Sequence, residues 1–209
     1  MKRTPTDALL VIDVQNDFCP GGALPVPHGE EVVPVINRVS PGFSLVVATQ
    51  DWHPKGHLSF ASSHAGRRPL DTIEIDGITQ VLWPDHCVQA SKGAALHPDL
   101  DTSPFHCILR KGRKPRVDSY SAFYENDLKT RTGLEDLLKG LGVRRVSVCG
   151  LATDYCVLAT ARDARHADFS VVVIEDACRG VDLPKGSLGN ALRDMRELGV
   201  VIANSKDLE

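Results

Sequence analysis

The chain has 209 residues, 42% of them hydrophobic and 24% charged, with a net charge of −3 at neutral pH. That length suits one domain with a substantial core, the absence of a Lys/Arg block argues against nucleic acid as a partner, and no apolar run approaches the ~20 residues of a membrane span. The lead Met1-Lys2-Arg3-Thr4-Pro5-Thr6-Asp7 runs into an apolar stretch too short and wrongly flanked for a signal peptide, and the cysteines are irregularly spaced, so reduced thiols in a cytoplasm are expected.

Ala8 to Val14 is a continuous apolar run closed by a polar turn, as in a central strand, with Asp13 at its end. Ser44 to Thr49 is a second strand, followed by Asp51. Gln50 to His106 then breaks the rhythm. It holds both tryptophans and most of the histidines, and a connection that long inside a domain is usually a functional excursion. Cys107 to Leu109 is a third strand, ended by Lys111. Leu134, Leu137, Leu138 and Leu141 fall at helical spacing, with Gly142 placed to end the helix. Arg145 to Cys149 is a strand, and Tyr155 to His166 a helix with Cys156 in its first turn. Ser170 to Ile174 and Val200 to Ala203 are the last strands. Between them Leu188, Ala191, Leu192, Met195 and Leu198 mark a helix closed by Gly199. Unbroken β-branched runs indicate strands buried on both faces. The expectation is a single α/β domain over 1–209, three layers deep, with a mainly parallel six-stranded sheet.

Ligands in such sheets bind beyond the carboxyl ends of the strands. Asp13, Asp51, Lys111 and Cys156 all fall there. A cysteine at a helix N-terminus meets the positive end of the dipole, which favours the nucleophilic thiolate. Asp13 would shuttle its proton and Lys111 would hold both charged. The bland readings are an aspartate capping a turn and a lysine facing solvent. Cys107 and Cys149 lie in strands as core residues, and Cys19, Cys87 and Cys178 lie in loops without a helix start. Asp51-Trp52-His53 and His86 offer two nitrogens and an oxygen to a divalent metal, with zinc, iron and manganese all suited. His57 and His64 lie nearby, with a structural role as their default.

Five segments in order carry a family resemblance: Asp13-Val14-Gln15-Asn16-Asp17-Phe18-Cys19-Pro20-Gly21-Gly22, Thr49-Gln50-Asp51-Trp52-His53-Pro54, Trp83-Pro84-Asp85-His86-Cys87-Val88, Lys111-Gly112 and Gly150-Leu151-Ala152-Thr153-Asp154-Tyr155-Cys156-Val157. Together they resemble the nicotinamidases (pyrazinamidases) of the isochorismatase-like cysteine hydrolases. The resemblance implies that fold, and hydrolysis of nicotinamide to nicotinate and ammonia through a cysteine thioester in NAD salvage, with pyrazinamide also accepted. It implies Asp13, Lys111 and Cys156 as the catalytic triad, and an oxyanion hole from the backbone N–H groups of Ala152 and Cys156. A cis peptide between Leu151 and Ala152 is implied too. Asp51, His53 and His86 would bind one divalent metal per subunit, zinc first, with His57 left open. Phe18 and Trp83, and with them Tyr120, would wall the pyridine ring. The rivals are a hydrolase of the same fold acting on another amide or carbamoyl substrate, and an inactive binding module. A homo-oligomer stays open.

Overall fold

The computed structural model describes residues 2–208; Met1 and Glu209, the ends of the predicted domain, lie outside them. The elements run β1 (Asp7–Ile12), α1 (Val32–Val39), β2 (Leu45–Asp51), β3 (Thr72–Ile75), β4 (Ile78–Val81), β5 (Cys107–Lys111), α2 (Leu134–Gly140), β6 (Arg145–Leu151), α3 (Leu158–His166), β7 (Ser170–Arg179), α4 (Ser187–Glu197) and β8 (Val201–Ala203). Six strands form one sheet in the order β5-β2-β1-β6-β7-β8. Every neighbouring pair in it is parallel, so the fully parallel form of the expected sheet is realised.

All six residues of β1 are buried, because the sheet is covered on both sides there. Helix α1 turns Val32, Val33, Ile36 and Val39 inward on one face and packs on β6 and β7. Helices α3 and α4 pack on each other and on the same half of the sheet. From β1 the chain steps one way to β2, and from β6 it steps the other way to β7 and β8. Right-handed crossovers therefore place α1 opposite α3 and α4, giving three layers. The strand order reverses between β1 and β6, which makes a crevice at their carboxyl ends. Those two strands come unusually close at Gly150: a Cβ there would sit 2.1 Å from the Ile12 carbonyl oxygen, at a φ of +114°.

Several boundaries differ from the sequence reading. β1 stops at Ile12, because Asp13 has a φ of +47° and turns the chain out of the sheet. β2, β5 and β6 run two residues past their apolar runs, to Asp51, Lys111 and Leu151. β7 continues through Glu175 and Asp176 to Arg179. Cys156 does not lie in the first turn of an α-helix. It lies in a π-helical turn, Thr153–Val157, and α3 begins only at Leu158. The excursion contains the two-stranded antiparallel hairpin β3–β4, and α1 went unpredicted because Pro34 interrupts a short apolar run.

Candidate active site

Lys111, the last residue of β5, has no solvent exposure, and its ammonium is surrounded by acceptors. Nζ lies 2.9 Å from Asp13 Oδ2, 2.5 Å from Asp51 Oδ1, 2.9 Å from the Ser119 carbonyl and 3.6 Å from Cys156 Sγ. Burial alone would pull its pKa down, but the Asp13 and Asp51 carboxylates hold it well above the ordinary lysine range. Lys111 is therefore a fixed cation rather than a solvent-facing side chain. Asp13 is equally buried. Thr49 Oγ1 donates to its Oδ1 at 2.7 Å and accepts from its backbone N–H at 3.1 Å, so Oδ2 is the oxygen left facing the ammonium. Burial raises the Asp13 pKa against the pull of Lys111, as a proton acceptor needs.

Burial pushes the Cys156 thiol well above its ordinary pKa; the nearby ammonium lowers it, while the Asp13 and Asp51 carboxylates raise it further. The expectation of a resting thiolate at a helix N-terminus is thus corrected. Burial opposes the thiolate that a helix N-terminus was expected to favour, and Asp13 is the nearby group able to take the thiol proton. The expected cis peptide is present at Leu151–Ala152.

Asp51, His53 and His86 come together with their ligand atoms all within 4.8 Å of one another, all three buried. His53 Nδ1 is 3.0 Å from the Gly112 carbonyl and His86 Nδ1 is 2.8 Å from the Pro84 carbonyl. Those contacts place the N–H on Nδ1 and direct each Nε2 lone pair inward, the arrangement of metal-binding imidazoles. His53 Nε2 is buried with no hydrogen-bond partner among the described residues. An orphaned nitrogen beside a carboxylate fits a divalent cation. Burial would raise the Asp51 pKa, yet Lys111 and His53 hold it well below the usual range. Burial would lower His53, but Asp51 raises it; burial and His53 push His86 down to about 4. His57 stacks on His53 with ring centroids 4.3 Å apart. Both its nitrogens already have partners, Ser59 Oγ at 2.7 Å and the Val117 carbonyl at 3.1 Å.

These groups open into a cavity whose lining includes Asp51, His86, Ala152 and Cys156. Phe18, Trp83 and Tyr120 line it as expected, with Trp83 Nε1 donating to the Tyr120 hydroxyl at 3.1 Å. A model of the Isochorismatase domain matches residues 7–207 of this chain.

The chain belongs to the isochorismatase family. It is 47% identical to a nicotinamidase of Acinetobacter baylyi, over all of this chain and 97% of that one. An L. infantum PnC1 crystal structure in complex with nicotinate matches with a TM-score of 0.86 and 43% identity, over 98% of this chain and 96% of that one. A pyrazinamidase of Pyrococcus horikoshii in complex with zinc matches with a TM-score of 0.77 and 38% identity, over 96% and 99%. Relatives of this kind make the protein an enzyme, an amidohydrolase.

This isochorismatase-family site includes residues that sequence reasoning missed. Tyr155 meets Trp83 edge-on at 5.1 Å and Tyr120 at 5.7 Å, completing an aromatic wall. Leu24, Val26, Asp118 and Val181 also line the cavity. Asp118 Oδ1 lies 3.9 Å from His53 Nε2. Tyr155 adjoins the nucleophile position and could have been singled out; Val181 carries no local signal. Among the described residues no helix is long and apolar enough to cross a membrane.

Proposed function

We propose that the protein is a nicotinamidase, acting as one domain across 1–209, that hydrolyses nicotinamide to nicotinate and ammonia. The observation that carries this is Lys111 Nζ, 2.9 Å from Asp13 Oδ2 and 3.6 Å from Cys156 Sγ, with Cys156, Asp51 and His86 lining one aromatic cavity. A flat ring between Phe18 and Trp83 would place its carboxamide at the thiol. The likeness to a nicotinamidase and to a nicotinate complex supports that substrate.

Asp13 takes the Cys156 proton as sulfur attacks the carboxamide carbon, and the carbonyl electron pair moves to oxygen. The Ala152 and Cys156 N–H groups stabilise that oxyanion, an effect of roughly 3–4 kcal/mol per donor in hydrolases of this kind. The C–N bond breaks, and Asp13 passes the proton to the leaving nitrogen. Ammonia departs from a thioester. Asp13 then takes a proton from water, which attacks the thioester; nicotinate leaves and the proton returns to sulfur. Throughout, Lys111 keeps the Asp13 carboxylate in place and offsets the negative charge on sulfur. Asp51, His53 and His86 would hold one divalent ion, zinc first with iron and manganese also suited, and a bound ion would supply a Lewis-acid anchor for the ring nitrogen. The zinc complex of the P. horikoshii relative supports zinc. Pyrazinamide, with a ring nitrogen in the same place, is a second substrate. A reduced cytoplasm and NAD salvage are the setting such a reaction fits, and a homo-oligomer stays open.

The test is ammonia release by the purified, zinc-loaded protein across nicotinamide, pyrazinamide and aliphatic carbamoyl compounds. Turnover of the two aromatic amides, lost in Cys156→Ala, is expected. Turnover of the carbamoyl compounds alone would move the assignment to another amidohydrolase of the fold.

A further inference from the structure

One wall of the cavity comes from a segment with no part in the chemistry. Residues 180–187 leave the end of β7, cross over the nucleophile turn and enter α4. Val181 is their contribution to the cavity lining. The segment is tied down by Asp154, a buried carboxylate two residues before Cys156. Asp154 Oδ1 accepts the Val181 N–H at 3.0 Å, and Oδ2 accepts the Asp182 N–H at 3.0 Å and the Ser187 hydroxyl at 2.5 Å. The next residue adds a second tie, because the Tyr155 hydroxyl donates to the Leu183 carbonyl. The strap is also closed on itself: Asp182 Oδ1 accepts the Gly186 N–H at 2.8 Å and the Leu188 N–H at 3.2 Å. It therefore sits as one stiff piece, with Leu183 facing solvent and Val181 facing the cavity.

The geometry points to Val181 as a specificity-determining residue that limits the breadth of the substrate ring, and to Asp154 as the positioning residue that holds it there. The inference rests on the aromatic-carboxamide reading of the site. Cys156, Asp51, His86 and the aromatic side chains all line the cavity, so on that reading the carboxamide meets Cys156, the ring nitrogen lies toward Asp51 and His86, and the aromatics cover the ring faces. Apart from Ala152 at the nucleophile turn and Asp118 beside His53, the rest of the lining is aliphatic, Leu24, Val26 and Val181, and these are left to meet the outer ring edge. Of these, Val181 is fixed by hydrogen bonds to the nucleophile turn itself. The edge stop and the thiol are thus held by one short peptide, so the distance between them is set within a few residues. A ring wider than pyridine meets the Val181 side chain before its carboxamide reaches sulfur. Asparagine at 154 would be nearly isosteric, but its amide would turn a donor toward one of the two backbone N–H groups and loosen the strap.

The test compares nicotinamide with quinoline-3-carboxamide, its benzo-fused analogue, on the zinc-loaded protein. The readout is the ratio of their kcat/KM values on one sample, which is independent of how much of the sample is folded. Val181→Ala is expected to raise the ratio of quinoline to nicotinamide by about tenfold, the scale of a few methyl groups in an apolar pocket. Asp154→Asn is expected to raise it in the same direction, with KM for nicotinamide increased and kcat changed much less. A ratio unchanged in Val181→Ala while nicotinamide turnover persists would overturn the specificity role. A rise in Val181→Ala with no change in Asp154→Asn would overturn the positioning role. If the unmodified protein hydrolyses neither compound but does hydrolyse carbamoyl compounds, it is the substrate reading that fails.

Discussion

The Gln15 side chain serves Asp51 as a neighbouring strand would: its Nε2 donates to the Asp51 carbonyl at 2.9 Å, and the Asp51 N–H donates to its Oε1 at 2.8 Å. The β1–β2 ladder ends at Val11 and Ala48, since the chain turns outward at Asp13. Without Gln15 the backbone of Asp51 would be buried and unpaired on that side. One side-chain amide thus continues the sheet to the residue where a carboxylate is needed.

Gln15→Leu should accordingly cost about 2 kcal/mol or more, because two buried backbone groups lose their partners. It should also weaken zinc binding by roughly tenfold or more, as disturbed support behind a metal ligand does. Urea unfolding of the metal-free protein and a zinc titration measure the two effects separately. Unchanged values in both would show that Gln15 does not position Asp51.

Thr49 fixes which Asp13 oxygen faces the Lys111 ammonium. Thr49→Val removes a hydrogen bond to a charged or proton-sharing oxygen, a loss of about 1.5–3 kcal/mol. If the bond is used in the transition state, kcat should fall by at least about tenfold with little change in KM. Thr49→Ser, which keeps the hydroxyl, should recover most of the rate. Steady-state kinetics of the pair decides it.

Gly112 lies against the His53 imidazole at a φ of +63°, and a Cβ there would sit 2.5 Å from His53 Cε1 and 2.7 Å from Nδ1. Gly112→Ala should push the ring away from Asp51 and His86. The expected outcome is a folded protein, by circular dichroism, whose bound zinc by elemental analysis falls well below one per chain. Full occupancy would mean that the ring tolerates the shift.

Zinc affinity should rise with pH. Asp51 raises the His53 pKa in the metal-free protein against the pull of burial, so around neutrality protons compete with the metal for its Nε2 lone pair more than they would at an ordinary imidazole. Below the raised pKa, affinity should grow roughly tenfold per pH unit, one proton being released per ion. His86, pushed down to about 4, is already neutral there and adds no second proton. Calorimetry in buffers of different ionisation enthalpy counts the protons; an affinity that does not change with pH would contradict proton competition at His53.

Much of this site was legible in the sequence because parallel strands bring chain-distant residues to one edge. Unbroken apolar runs located the strands, and Asp13, Asp51, Lys111 and Cys156 stood just past them. The run lengths misled where polar site residues belong to the strands themselves, as Asp51 and Lys111 do. The state of Cys156 was misread because its π turn and the surrounding carboxylates arise only in three dimensions. For the same reason no local pattern marked Val181 or Asp118. Spacing left His57 open, and the structure shows its ring nitrogens against Ser59 and Val117.

Whether a covalent bond forms on Cys156 is the decisive point. Rapid-quench peptide mass spectrometry during nicotinamide turnover should find a nicotinoyl adduct on the Cys156 peptide, absent in Cys156→Ala and lost as substrate is exhausted. Steady ammonia release with no acyl group on that sulfur at any time, or undiminished turnover by Cys156→Ala, would contradict it.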